Sequence, residues 1–216
     1  MDDRRMAPNR NIFLYSEINK ESVKEVMERI VYINEFDQDQ LDAFGEKYQP
    51  EAIKIRICSG GGHISPTIGL MEEIIHSATP IITVCDGEVC SSAFLIFICG
   101  QRRYLKIGST VMMHPSTSGF FGQLKSIQSD VVEYSRLESY VQNMILDLTK
   151  IPKKVIDAYY ASGTDRYFTE TECVDWKICD DIYGREEKEE EVVPEEKPKK
   201  KAPKKKIKKG KKNGKK

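Results

Sequence analysis

The stretch from Ile53 to Cys99 constrains the fold most, because twice within it a short strand-like run gives way to an apolar helix. Ile53, Ile55 and Ile57 alternate with Lys54 and Arg56, the period-two pattern of a strand with one buried face. Ser59-Gly60-Gly61-Gly62 has the composition of a loop. Ile68, Met71, Ile74 and Ile75 then recur at helical spacing and mark a helix from Ile64 to His76. Pro80 to Val84 is a β-branched strand, Asp86-Gly87 reads as a turn, and a second apolar helix starts near Ser91. Strands alternating with helices predict parallel strands joined by right-handed crossovers, an α/β layered fold.

The flanks extend this pattern. Ile12-Phe13-Leu14-Tyr15 reads as a strand, and Asn19 is placed to cap a helix whose apolar face is Val23, Val26, Met27 and Ile30. Glu35 to Pro50 is polar and reads as a connection with one short helix. Val111 to Met113 is a buried strand. Leu124, Ile127, Val131, Tyr134, Leu137, Val141 and Ile145 sustain a long helix between about Gly122 and Thr149. Pro152 opens a short helix, and Thr169 with Glu172 forms a capping box for a last one.

The formal charge of the 216 residues is zero, but the zero hides a division. From Arg185 onward there are 15 Lys/Arg against 7 Asp/Glu, a net of +8, which leaves the body at −8. The segment 185–216 is acidic to Glu196 and lysine-rich beyond it. With so little apolar surface to bury it is expected to be disordered, leaving 1–184 as the folded domain. No apolar run approaches the roughly 18 residues of a membrane-spanning helix, and the N-terminus carries no apolar signal core. Six cysteines without a C-x-x-C pair read as reduced thiols of a cytoplasmic protein, with no metal site expected.

Only three histidines, His63, His76 and His114, are available as a general base near neutral pH. His76 ends an apolar helix, where a cation suits the helix dipole. His63 follows the glycine loop. His114 ends the strand Val111-Met112-Met113, a rigid place from which to aim an imidazole. Ser91 stands between the Asp86-Gly87 turn and the helix Ala93 to Cys99. A serine there can cap the helix, or it can act as a nucleophile beside the unpaired N–H groups of a helix start. The loop Gly60-Gly61-Gly62 offers a second set of backbone amides that no side chain shields.

In this order the segments Ser59 to Gly62, Gly87-Glu88-Val89-Cys90-Ser91-Ser92-Ala93-Phe94-Leu95, Val111 to Pro115 and Asp165-Arg166-Tyr167-Phe168-Thr169 resemble the Clp protease proteolytic subunit, from about Asn11 to Tyr183. The resemblance implies a fold of the ClpP/crotonase-like type, layered parallel sheets with crossover helices and a protruding handle helix. It implies a serine endopeptidase with Ser91 as nucleophile, His114 as base and Asp165 orienting the imidazole. The backbone N–H groups of Gly62 and Ser92 would be the oxyanion donors, and no cofactor is implied. It further implies stacked, heptameric rings of this chain that enclose polypeptide substrates and are fed by an AAA+ unfoldase. Gly119 to Gln123 would be the strand ahead of the handle. The chain departs from the family's usual pattern at Cys58 and Gly60 in the loop and at Cys90, Ser92 and Phe94 around the serine. Few residues precede Ile12, where the family has a longer segment around the pore.

Several alternatives remain open in the sequence. Cys90 and Ser92 flank Ser91 as rival nucleophiles, and Asp157 is an alternative to Asp165. A crotonase-like acyl-CoA enzyme and a catalytically silent ring scaffold are rival functions. The lysine-rich tail suggests salt-sensitive contact with nucleic acid or an acidic surface, or a simple solvated tail.

Overall fold

The computed structural model describes residues 7–115 and 119–183 of the chain. The expected charged tail, 185–216, lies outside the described residues. The elements, in chain order, are β1 (Asn11–Leu14), α1 (Lys20–Phe44), β2 (Ile53–Ser59), α2 (Ile64–His76), β3 (Ile81–Cys90), α3 (Ser92–Ile98), β4 (Arg102–Lys106), β5 (Thr110–Met113), α4 (Leu124–Leu148), α5 (Lys153–Ser162), β6 (Arg166–Phe168), α6 (Glu170–Asp175) and β7 (Asp181–Tyr183).

Strands run in the order β1-β2-β3-β4-β7, and every neighbouring pair is parallel. The register aligns Leu14, Ile57, Cys85, Leu105 and Ile182 in one row across five strands, and all five are buried. Burying one such aliphatic side chain contributes about 1.5–3 kcal/mol, so this row and its neighbours are the core. The opposite face is more polar. There Asp86 is nearly enclosed and receives Arg56 Nε at 2.6 Å, Lys106 Nζ at 2.8 Å and the Tyr15 hydroxyl at 2.5 Å.

β3 is longer than its sequence pattern suggests, and its length places the site. Its first half pairs with β2 and β4, while Glu88, Val89 and Cys90 pair in parallel with β5. β6 adds antiparallel to the far side of β5. A register shift on β2 between Ile57 and Ser59 accompanies the change of partners.

The N-cap expected at Asn19 and the capping box expected at Thr169 both form. The Asn19 side chain accepts from Ser22 N at 3.0 Å, and Thr169 Oγ1 accepts from Glu172 N at 3.2 Å. Helix α1, however, continues through the polar stretch expected to be a connection and ends at Phe44. Asp37 holds this part. Its buried carboxylate takes Arg10 Nη1 at 2.8 Å, Thr79 Oγ1 at 2.6 Å and the Tyr48 hydroxyl. Burial pushes that carboxyl up, but these donors outweigh it and leave it below its ordinary range. The strand expected at 119–123 does not form, and those residues run without regular structure into α4.

Candidate active site

Ser91 links β3 to α3 with φ 55° and ψ −123°, a conformation non-glycine residues avoid. Main-chain bonds hold the turn from both sides. Ser91 N donates to Met112 O at 2.9 Å, and Ser91 O accepts from Phe94 N at 3.0 Å. The side chain makes no capping hydrogen bond to the helix it precedes, so the capping use of this serine is not the one adopted. Its Oγ is left to the adjoining cleft, a space of about 490 Å³ that Ser91 lines with Gly62, His63, Ser92 and His114.

The glycine loop is pressed against this turn. A Cβ on Gly61 would lie 2.7 Å from Cys90 O and 2.7 Å from Ser91 Cβ, so any larger residue would push the loop off the serine. At Gly62 a Cβ would meet Ile18 O at 2.2 Å. Ile18 N donates to Gly61 O, and His63 N donates to Ile18 O, so the loop runs as a short strand beside Ile18. Alternation then turns the N–H and C=O of Gly62 the other way, toward α3. The Gly62 carbonyl accepts from Ser92 Oγ at 2.9 Å, while no hydrogen bond among the described residues uses the Gly62 N–H. Ser92 N opens α3 and is likewise without a carbonyl four residues back. Two backbone donors therefore stand beside Ser91.

Strand topology brings the other residues to the same end. Cys90 faces Met112 in the parallel β3–β5 pair, so Ser91 and His114 follow on adjacent strand ends. Arg166 faces Met113 in the antiparallel β5–β6 pair, so Asp165 is the residue that arrives beside His114 along the backbone. The side chains are less closely joined. His114 Nδ1 lies 2.8 Å from Pro115 O. A carbonyl only accepts, so Nδ1 carries the proton, and in the neutral ring Nε2 keeps its lone pair. Asp165 is exposed and lines an adjoining pocket rather than the cleft. Among the described residues it makes no hydrogen bond to His114.

The rivals have other partners. Burial, then the Glu88 carboxylate, push the Cys90 thiol up to about 11, so it stays protonated at neutral pH. Ser92 spends its hydroxyl on Gly62, and Asp157 pairs with Lys153 on the exposed face of α5. His76 lies at the exposed end of α2 with its Nδ1 on Glu72 O. The sequence reading missed Glu17, Tyr159 and Tyr160 as cleft residues. Nothing in periodicity separates the two tyrosines from ordinary core aromatics.

Fold and cleft thus define the class first: a layered parallel α/β protein that presents a serine on a strained strand-to-helix turn beside unengaged backbone amides. The chain belongs to the Clp protease family, whose model matches residues 2–186. It is 25% identical over 184 residues to an ATP-dependent Clp protease proteolytic subunit of Dehalococcoides mccartyi, covering 84% of this chain and 86% of that one. It is also 25% identical over 142 residues to ATP-dependent Clp protease proteolytic subunit 1 of Rhodopirellula baltica, covering 65% of this chain but only 58% of the relative. A ClpP1 mutant from Listeria monocytogenes shares the fold with a TM-score of 0.66 at 19% identity, over 80% of this chain and 90% of that one. These identities make the chain a divergent member. Among the described residues no helix is long and apolar enough to cross a membrane.

Proposed function

We propose that this protein is a serine endopeptidase that cuts polypeptides by acyl transfer. The observation that carries the reading is the Ser91 turn, which holds an uncapped hydroxyl in one cleft with His114 and next to the Gly62 and Ser92 amides. Ser91 Oγ attacks the peptide carbonyl, its proton passes to His114 Nε2, and the new oxyanion is received by the two N–H groups. His114 then gives that proton to the leaving amine as the C–N bond breaks. Water repeats the sequence on the ester, releasing the acid and restoring Ser91.

Asp165 orients His114 in this scheme once the imidazole leaves Pro115 O for the neighbouring strand end. Rings of this chain, stacked through α4 and served by an AAA+ unfoldase, are the assembly in which that realignment occurs; the ATP-dependent relatives support this part. The exposed Asp165 favours one second reading, a ring subunit that is catalytically silent.

A fluorophosphonate probe on the full chain separates the two. Ser91 is expected to be labelled, and Ser91→Ala and His114→Ala are expected to lower labelling and peptide cleavage by at least about 10³-fold. Assembled rings that fail to label would leave the scaffold reading. The segment 185–216 stands outside this chemistry. Deleting it is expected to leave peptide turnover unchanged while weakening any nucleic-acid retention seen at low salt.

A further inference from the structure

Tyr159 and Tyr160 sit side by side on α5, and neither takes part in the acyl transfer described above. Their rings meet edge to face with centroids 4.7 Å apart. Tyr159 is only 6% exposed, yet neither phenol has a hydrogen-bond partner among the described residues. No fully enclosed side-chain oxygen lacks a partner there, so the Tyr159 hydroxyl must open onto free space. The free spaces it borders are the serine cleft and the pocket of about 420 Å³ beside it, and Tyr160 borders the cleft.

The surroundings limit what can occupy that end. Leu95, Met113, Val141 and Ile145 line the same cleft and are buried, so they give it an apolar stretch of wall beside its polar groups. A buried hydroxyl beside such a wall forfeits a hydrogen bond unless an occupant supplies one. Burial, with the Glu138 carboxylate, pushes the Tyr160 phenol up to about 12; burial also raises Tyr159, with Tyr160, Asp165 and Glu138 adding to it. Both therefore remain neutral donors near pH 7. The same carboxylates repel an anionic occupant. They would also attract a cation, so lysine is the direct competitor of an uncharged polar tip at this end, and the lysine peptide below decides between them.

We propose that Tyr159 and Tyr160 form the selective end of the cleft and hydrogen-bond the tip of a substrate side chain that has a long apolar stem and an uncharged polar end, with glutamine as the best fit. The proposal rests on the peptidase reading and names the substrate class of that site. Methionine matches glutamine in length and lacks the amide, so the pair isolates the contribution of the hydroxyls.

The test uses the full chain and four fluorogenic peptides that differ only at the residue donating the scissile carbonyl: glutamine, methionine, glutamate or lysine. Wild type is expected to cleave the glutamine peptide with kcat/KM about tenfold above the methionine peptide, and the charged pair more slowly still. Tyr159→Phe and Tyr160→Phe each remove one oxygen. Each is expected to lower kcat/KM for glutamine about tenfold while leaving methionine within about twofold. The methionine peptide reports folding and machinery in each variant, and the wild-type series decides even if a variant fails to fold. A wild type that prefers methionine, lysine or glutamate, or variants with an unchanged glutamine-to-methionine ratio, would overturn the subsite and leave the peptidase reading standing. Cleavage of none of the four would overturn that reading and the subsite with it.

Discussion

The φ of 55° at Ser91 costs an L-residue on the order of 1–3 kcal/mol, and the surrounding hydrogen bonds hold it there. That cost predicts a trade between stability and chemistry at a single side chain. Glycine adopts the conformation freely but loses about 0.5–1 kcal/mol through its more flexible unfolded chain. Ser91→Gly is therefore expected to unfold about 1 kcal/mol later than Ser91→Ala in urea, with both inactive. Equal midpoints would mean that the turn is not strained. The neighbouring residues show why a hydroxyl alone does not define a nucleophile. Ser92 is bonded to Gly62 O, the Cys90 thiol is held protonated by burial, and only Ser91 keeps its side chain uncommitted beside the histidine.

At the scale of elements, buried carboxylates hold strands and helices that apolar pattern alone does not define. Asp86 on β3 joins Tyr15, Arg56 on β2 and Lys106 on β4. Burial raises its carboxyl, but the donors from Lys106, Tyr15 and Arg56 outweigh it, so the folded value lies below the unfolded one near 3.9. The folded state then binds a proton less readily. Its stabilisation is complete above about pH 4 and is lost as acid passes the folded value. Asp86→Asn is expected to cost about 2 kcal/mol at pH 7, less than the 3–5 of a fully buried pair, because Arg56 and Lys106 keep 29% and 43% of their side chains exposed. Urea titrations at pH 7 and pH 3 check this, and a cost that does not shrink at pH 3 would refute it. The same physics explains what sequence reading reached. β2 and α2 were legible because one buried face imposes a strict period. The end of α1 was not, because Asp37 is held by Arg10 and Thr79, 27 and 42 residues away. β4, β6 and β7 were missed because short, half-exposed strands carry little alternation. Ser91 before a helix and His114 at a strand end are weak signals singly and stood out through the order of segments that resembles the Clp family, whereas Tyr159 looks like any core aromatic until the cleft beside it is seen.

At the scale of the whole molecule, α4 is the element that one chain leaves unfinished. Between 124 and 136 only Ile127 and Tyr134 are half-buried, while Leu124 and Val132 are 71% and 70% exposed and Phe121, just ahead of the helix, is 95% exposed. A helix of 25 residues gains most of its stability from a packed apolar face, and here only Val141 and Ile145, near its C-terminal end, are buried. Apolar side chains set along a protruding stretch call for a second surface, and a facing copy of the same helix supplies one without further design. The consequence reaches the site, because Val141 and Ile145 of this helix also line the serine cleft. Ordering the first half of α4 between subunits would therefore steady the cleft wall in which Tyr159 and His114 are set. Val132→Glu is expected to leave the unfolding free energy within about 0.5 kcal/mol, since the side chain touches little in one chain. It is expected to remove the largest species in sedimentation velocity, and fluorophosphonate labelling of Ser91 should fall in step with that loss. Unchanged sedimentation would exclude α4 as the contact between rings, and labelling that survives disassembly would mean that a single subunit aligns Ser91 and His114 unaided.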